Sequence, residues 1–588
     1  MAAAASAALV LLAASAASAQ DAGAFARAPV ARLRSAATVF NFSTALGDHM
    51  VLARAPARAP VWGFDAPGTT ISLSLDGGAG GTFFATTDAT GLWRVVLPPV
   101  PAGGPHSIDA KSSSGAPDIG IADVYFGAVF VCGGQSSAYR AHEGPRREAR
   151  NGTGRFARGH SSRGLRRVHA QPGVICALTS ARPPQPRPDM QFALAGALNA
   201  TAEIADSVNH PLIRVFTVGQ SGSFSDAAPL RDFETLEQNW SVASPATVGT
   251  GDFGVFSAVC YLFARGLQEA LGAPTMPMGM VSANWGGTCL SSWTPADGEA
   301  VADCGLSGTS GHTNLYNGLI APLAVGPMAI DGFLFSQGEC DADCNNTVFY
   351  RCAFPRFIRD WRAKFMVPDA FFSFQVLPAY VNDSGRFNPY SLPYERSAQL
   401  QGLTAGGKVH AANTIDLGDA LAKYGSVHPR NKQAVAARMV AAARALIFGD
   451  TTVPYLSPSY SGATASVSGA DLVVTVSFAP SAPASGLLAL RPAACPAGVG
   501  GLPASECSWF EVQTAAGAWM NATGVALSAD SKRLVLTVAG AAAETAAATR
   551  GFFSPWPVVV LFSVEGLPAL PWWEPVDMVC VPGGYVAC

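Results

Sequence analysis

Between residues 36 and 115, short apolar runs alternate with polar positions and are separated by Gly and Pro clusters. Val61-Trp62-Gly63-Phe64, Thr70-Ile71-Ser72-Leu73-Ser74-Leu75 and Trp93-Arg94-Val95-Val96-Leu97 predict strands of a small sandwich-like β unit. The pattern changes near residue 121. Val124 to Val131 is almost continuously apolar, as a parallel strand covered on both faces requires. Phe253, Phe256, Val259, Cys260, Phe263, Leu267 and Leu271 recur at helical spacing. Strands are predicted at Met278 to Ala283, Phe333 to Phe335, Phe371 to Leu377 and Val409 to Ile415. A helix is then predicted from Pro429, in its first turn, to a Gly449 cap. Strands alternating with helices predict an α/β unit with a mainly parallel sheet. Its active site is expected at the carboxyl ends of the strands. Residues 453–588 return to short strands, such as Leu472 to Val476 and Leu534 to Val538, and predict a second β unit.

With 588 residues, the chain exceeds one ordinary domain. The expected organisation is a signal peptide over 1–19, a β unit over 36–118, an α/β unit over 119–452 and a β unit over 453–588. The leader reading rests on the apolar Leu9 to Leu12 and the small residues Ala17-Ser18-Ala19. No later stretch holds about 18 uninterrupted apolar residues, so no membrane span is expected. Twelve cysteines suit an oxidising compartment, secreted or in a lysosomal or extracellular lumen. Cys340, Cys344 and Cys352 crowd one loop, and Cys495 with Cys507 and Cys580 with Cys588 are spaced for local bridges. Zinc is disfavoured, because no Cys-x2-Cys accompanies a His-x3-5-His. Glycosylation signals occur at Asn41, Asn199, Asn239, Asn345, Asn382 and Asn521.

The net charge of −3 hides an asymmetry. Residues 138–188 carry eleven Arg, no Lys and only Glu143 and Glu148 as acids, which leaves the rest of the chain at −12. A continuous basic groove for nucleic acid is therefore not expected.

Four short segments stand at predicted strand ends. Gly133-Gly134-Gln135-Ser136 lets the backbone turn sharply and present a hydroxyl. Asn284-Trp285-Gly286-Gly287-Thr288 offers backbone N–H groups suited to a developing oxyanion. In Gln337-Gly338-Glu339 the amide can donate to an oxyanion, and the carboxylate can bind substrate hydroxyls or orient a partner. His428-Pro429 places an imidazole where it can take a serine proton and return it to a leaving alcohol. Taken alone, each of the first three segments reads first as an ordinary turn or loop, and a lone His as a structural residue.

Together and in this order they resemble the sialate O-acetylesterase family of SGNH-type carbohydrate esterases, whose pattern runs Gly-Gln-Ser-Asn-Met, Trp-Gly-Gly-Thr, Gln-Gly-Glu and His-Pro. Phe256 to Phe263, Ser426 to Gln433, His49-Met50-Val51-Leu52 and Val61-Trp62-Gly63 are similar to the same family. The resemblance implies an SGNH-hydrolase, flavodoxin-like parallel sheet flanked by β domains. It implies Ser136 as nucleophile, His428 as base and then acid, and an oxyanion hole from the Ser136 N–H, an N–H of the Gly286–Gly287 pair and the Gln337 side chain, with Glu339 as a substrate contact. It implies an O-acetylated sugar or glycan as substrate, 9-O-acetyl sialic acid foremost, and needs neither cofactor nor metal. An acetylxylan-type esterase and an inactive glycan-binding homologue are the alternatives.

The chain departs from the pattern in three places. Ser426 and Gly425 stand where an Asp precedes the His in many such enzymes. That leaves Asp416, then Asp419, Glu339 or a backbone carbonyl to orient His428. Ser137 replaces Asn after the nucleophile. The expected Met-Gln continuation appears only at Met190-Gln191-Phe192, behind residues 138–188. That Arg- and Pro-rich block lacks apolar periodicity and is expected to be disordered. It is read as an insertion outside the working catalytic fold, of unspliced-intron or gene-model origin, or as a basic arm recruiting acidic glycans.

Overall fold

The computed structural model describes residues 39–135, 189–220, 224–250, 256–273, 275–305, 312–344, 346–380, 391–479, 485–491 and 509–575. The proposed leader, Ser136, the 138–188 block, the Cys495–Cys507 and Cys580–Cys588 pairs, Asn345 and Asn382 lie outside these residues.

The chain is mixed α/β and built on one eleven-stranded mixed sheet. Its principal path runs Leu236–Val242, Ile213–Val218, Met278–Asn284, Ile119–Gly134, Gly332–Ser336, Phe371–Val376, Val409–Asn413. The first pair is antiparallel and the remaining pairs are parallel. The strand predicted from Val124 to Val131 extends over Ile119–Gly134, sixteen residues. Its first half pairs antiparallel with Gly103–Ser112 and parallel with Val51–Ala53, and its second half is the centre of the parallel sheet. Val51–Ala53, Thr70–Leu75, Thr82–Thr86 and Gly103–Ser112 are thus continuous with the sheet that carries the candidate site, whereas Asn41–Phe42, Pro60–Phe64 and Leu92–Val96 form a separate three-stranded sheet. Ile213–Val218 was missed although Pro211 and Gly219 flank it, because Arg214 and Thr217 interrupt its apolar run. Leu236–Val242 was missed because its edge position tolerates polar residues.

Two helices packed under the sheet position the site. One spans Ala258–Ala270 and is capped by the Ser257 hydroxyl, which accepts the Cys260 N–H. The other spans Lys432–Leu446, three residues later than Pro429 suggested, because the Asn431 side chain takes the cap and accepts the Ala434 N–H. Gly449 follows in the left-handed region at φ 72°. Val259, Phe263, Val435, Met439 and Ala443 share one buried core beneath the central strands. Each such side chain contributes roughly 1.5–3 kcal/mol if large and fully buried. A disulfide from Cys132 to Cys260 ties the central strand to the first of these helices. Cys340 and Cys352 do not pair within their own loop. They reach Cys289 and Cys304.

The C-terminal strands form two four-stranded sheets whose inner faces share a core with Val474, Leu536, Phe510, Val512 and Trp572. Ile415, from the α/β region, is buried in that core. The seam is polar as well. The fully buried Arg396 guanidinium donates to the carbonyls of Leu377, Pro378, Ser554 and Pro555 at 2.7–3.0 Å. Burial pulls its pKa down to about 9. Asn413 donates to the Pro568 and Ala569 carbonyls at 3.0 and 2.9 Å. Arg396→Met would leave four buried carbonyls without their donor, at a cost of about 3 kcal/mol or more. A lowered melting temperature and faster limited proteolysis beyond residue 453 are the expected results.

Candidate active site

Register brings the first three motifs together. Gly134 lies opposite Asn284 on one side and Ser336 on the other, so three strands end side by side. Gly134 has φ 129°, and a Cβ there would sit 2.1 Å from the Ser336 carbonyl oxygen. Only glycine permits that approach. The next residue, Gln135, is fully buried. Its N–H donates to the Ser336 carbonyl at 2.9 Å, and its Nε2 donates to Glu339 Oε2 at 2.8 Å. The residue preceding Ser136 is therefore fixed to the Gln337 segment.

The Gly-Gly loop begins with Trp285, whose N–H donates to the Gly134 carbonyl at 3.0 Å. The Gly286 N–H donates to Gln191 Oε1 at 2.9 Å. Gln191 and Phe192 belong to the segment after the 138–188 block, and the structure seats them beside this loop. The Gly287 N–H makes no hydrogen bond among the described residues, and φ there is 73°. Gln191, Gln220, Ser257, Ser282 and Asn284 line a small polar pocket next to the loop.

Gln337 does not present a free amide. Its Nε2 donates to Asp341 Oδ2 at 2.6 Å and to the Thr288 carbonyl at 3.2 Å, so both amide hydrogens are used. Its expected place in the oxyanion hole is filled in this structure by a tie between loops. Glu339 is 1% exposed and faces Gln135 rather than an open substrate surface.

His428 is 1% exposed and stands four residues before the helix Lys432–Leu446. Its own N–H donates to the Gly425 carbonyl at 2.9 Å. Among the described residues neither ring nitrogen has a hydrogen-bond partner. Burial holds the imidazole pKa well below its usual value, and the nearby Lys432 ammonium lowers it further. The Tyr424 and Gly425 carbonyls act in the opposite sense. Lys432 is itself buried, 4.8 Å from the Phe192 ring centroid. The imidazole is thus kept neutral, the state a general base requires.

The acids proposed to orient His428 are committed elsewhere. Asp416 makes a two-pronged ion pair with Arg438, 2.7 Å for each oxygen. Asp419 pairs with Arg430 at 2.6 and 3.1 Å. Neither is bonded to His428, because each carboxylate is taken by a guanidinium, Asp416 by Arg438 on the helix Lys432–Leu446 and Asp419 by Arg430 just before it. That leaves the Tyr424–Gly425 carbonyls as the groups acting on the ring. Sequence reasoning missed Asp341, which is fully buried and accepts from Leu290 N–H, Gln337 and Asn346. Its signal was an acid four residues after Gln337, in the first turn of the short helix Glu339–Asp343.

Residues 230–426 match the family model for carbohydrate esterases described as sialic acid-specific acetylesterase. Sialate O-acetylesterase from Homo sapiens is 28% identical over 451 residues, 72% of this chain and 74% of its own length. Sialate O-acetylesterase from Mus musculus is 27% identical over 475 residues, 72% of this chain and 76% of its own. The chain is thus similar to sialate O-acetylesterases over most of its length. A crystal structure of a carbohydrate acetylesterase from Xanthomonas citri superposes with a TM-score of 0.67 at 25% identity, covering 91% of this chain and 99% of that one. The family match contains the Gly-Gly loop, Gln337, Glu339 and Asp341. Ser136 and His428 lie outside its bounds, so their roles rest on the motifs and on the geometry around them.

A buried histidine held neutral gives a directional pH prediction for this esterase. Protonation removes the base, so kcat/KM should hold as pH falls through 6.5 and fail only below it, at the lowered pKa of His428. Lys432→Met removes a like charge, and its acid limb should move up by about one pH unit. An acid limb unmoved in this variant would show that Lys432 does not act on the base.

Proposed function

We propose that the chain is a serine O-acetylesterase that removes acetyl groups from O-acetylated sialic acid or a related sugar, the 9-O-acetyl ester foremost. The observation that carries this reading is the flush ending of three strands at Gly134, Asn284 and Ser336, together with a buried, neutral His428 whose neighbour Lys432 packs on Phe192, next to the Gln191 that holds the Gly-Gly loop. In the proposed reaction the Ser136 hydroxyl attacks the ester carbonyl while His428 takes its proton. The oxyanion forms against the N–H groups of Ser136 and of the Gly286–Gly287 turn, where fixed dipoles need no reorganisation. His428 then protonates the departing sugar hydroxyl. Water, deprotonated by the same imidazole, hydrolyses the acetyl-enzyme. The part of the orienting carboxylate is assigned to the backbone at Tyr424 and Gly425, which favours the protonated imidazole.

The catalytic unit is assigned to 119–452 and read as an SGNH-hydrolase sheet, with β units over 36–118 and 453–588 on either side. The block 138–188 is assigned to an insertion outside that unit. The disulfides Cys132–Cys260, Cys289–Cys340 and Cys304–Cys352 and exposed glycosylation signals at Asn199, Asn239 and Asn521 support a lumenal or secreted location.

Ser136→Ala should abolish acetate release while leaving the melting temperature unchanged. Full activity in that variant would refute the assignment. A panel of acetylated sialosides against acetylated xylan separates the two substrate classes, with faster turnover expected on the sialosides. A glycan-binding homologue would bind sugar yet leave Ser136 unlabelled by a fluorophosphonate.

A further inference from the structure

Beneath the two loops that border the nucleophile, Asp341 gathers three separate pieces of chain. Its Oδ2 accepts the Leu290 N–H at 2.8 Å and the Gln337 amide at 2.6 Å, and its Oδ1 accepts the Asn346 amide at 2.8 Å. Leu290 closes the Gly-Gly loop, Gln337 opens the third motif, and Asn346 precedes the long helix Thr347–Lys364. The side chain is fully buried, so these bonds do not compete with solvent. The same two loops are joined covalently one residue to the side of Leu290 and of Asp341, through the disulfide Cys289–Cys340.

The loop so held has few other restraints. The Thr288 hydroxyl donates to the Trp285 carbonyl at 2.7 Å and accepts from Trp293 Nε1 at 2.9 Å. The Thr288 carbonyl accepts from Gln337, whose other amide hydrogen goes to Asp341. Gly286 and Gly287 have no side chains to anchor them, and the Gly287 N–H is the one left to meet the developing charge in the proposed reaction. The turn is held on its N-terminal side by the Trp285 and Gly286 N–H bonds to Gly134 and Gln191, and on its C-terminal side, through Thr288 and Leu290, by what Asp341 and Gln337 hold.

We infer that Asp341 is a positioning residue for the esterase reaction: its carboxylate locks the Gly-Gly oxyanion loop to the Gln337 loop and so fixes the N–H groups that meet the transition-state oxygen. The inference rests on the esterase reading above. It makes Gln337 an intermediary between Asp341 and the loop. The three donors on Asp341 explain why an acid is needed. An amide in its place offers one acceptor oxygen and turns an NH2 towards groups that are themselves donors.

The test is Asp341→Asn in the full chain, compared with Asp360→Asn. Asp360 is also buried and accepts the Glu299 and Ala300 N–H groups at 2.8 and 3.1 Å, at a helix start outside the active-site loops. Loss of one oxyanion donor costs about 100-fold or more in kcat, so a loosened loop should cost D341N about 10-fold or more in kcat with KM within about twofold of wild type. D360N should lower the melting temperature and leave kcat unchanged. A D341N enzyme that melts lower but turns over at the wild-type kcat overturns the inference, as does an equal fall in kcat in both variants. If D341N does not fold, Asn346→Ala removes the donor to Oδ1 from a half-buried position. A fall of about threefold in kcat at unchanged melting supports the inference, and wild-type kcat overturns it. Failure of the underlying reading looks different, since the wild-type chain would then release no acetate and Ser136 would take no fluorophosphonate label. That result overturns both.

Discussion

At Gly134 the central strand passes so close to its neighbour that no side chain fits between its Cα and the Ser336 carbonyl. The contact allows Met278–Asn284, Ile119–Gly134 and Gly332–Ser336 to end level with one another. Three loops then leave the sheet within hydrogen-bonding reach, and the bonds among Gln135, Glu339, Trp285, Gln337 and Asp341 become possible. A displaced strand end would separate the nucleophile loop from the N–H groups meant to stabilise its product. The chain order also turns back at this strand, since the next strands lie to one side of it and the later ones to the other. Open α/β sheets bind ligands in the crevice such a reversal creates.

Burial then governs the chemistry of the groups around that crevice. Desolvation disfavours charge whatever its sign. It pushes His428 down, which suits a base, and raises the carboxyls of Asp341, to about 6, and Asp343, to about 8. Glu395 is raised well above its usual range for the same reason, with the Asp341 and Glu339 charges adding to the effect. Asp341 escapes the largest shift because three donors compensate it. Polar groups so placed are costly unless paired, which is why the fully buried Asp341 carboxylate takes three donors.

The flanking β elements are tied to the α/β region by polar bonds as well as apolar burial. On the N-terminal side, Asp232 accepts from the Ser43 and Thr44 hydroxyls and from the Thr44 N–H. On the C-terminal side, Arg396 and Asn413 donate to carbonyls of the last β segment. The likeness to the Xanthomonas citri carbohydrate acetylesterase extends over these regions as well, since it covers 91% of this chain.

The central strands of the parallel sheet, the helices Ala258–Ala270 and Lys432–Leu446 and the four motifs were legible in the residues, because apolar periodicity records which side of an element meets the core, whereas the helix Thr347–Lys364 was not read. Val124 to Val131 had to be a buried parallel strand, and Phe256 to Leu267 had to be a helix. Chemistry-bearing residue types at strand ends also marked the right region. Partners were not legible. Asp416 looked well placed in sequence, yet Arg438, twenty-two residues on, takes both of its oxygens. Gln337 looked like a free donor, yet Asp341 and the Thr288 carbonyl use both of its hydrogens. Cys340 pairs with Cys289, fifty-one residues away, rather than with its near neighbours. The register of the sheet and the return of the Lys432–Leu446 helix beneath it bring distant side chains together. Local pattern encodes which face of an element is buried, but which donor meets which acceptor depends on distances set only once the sheet has closed.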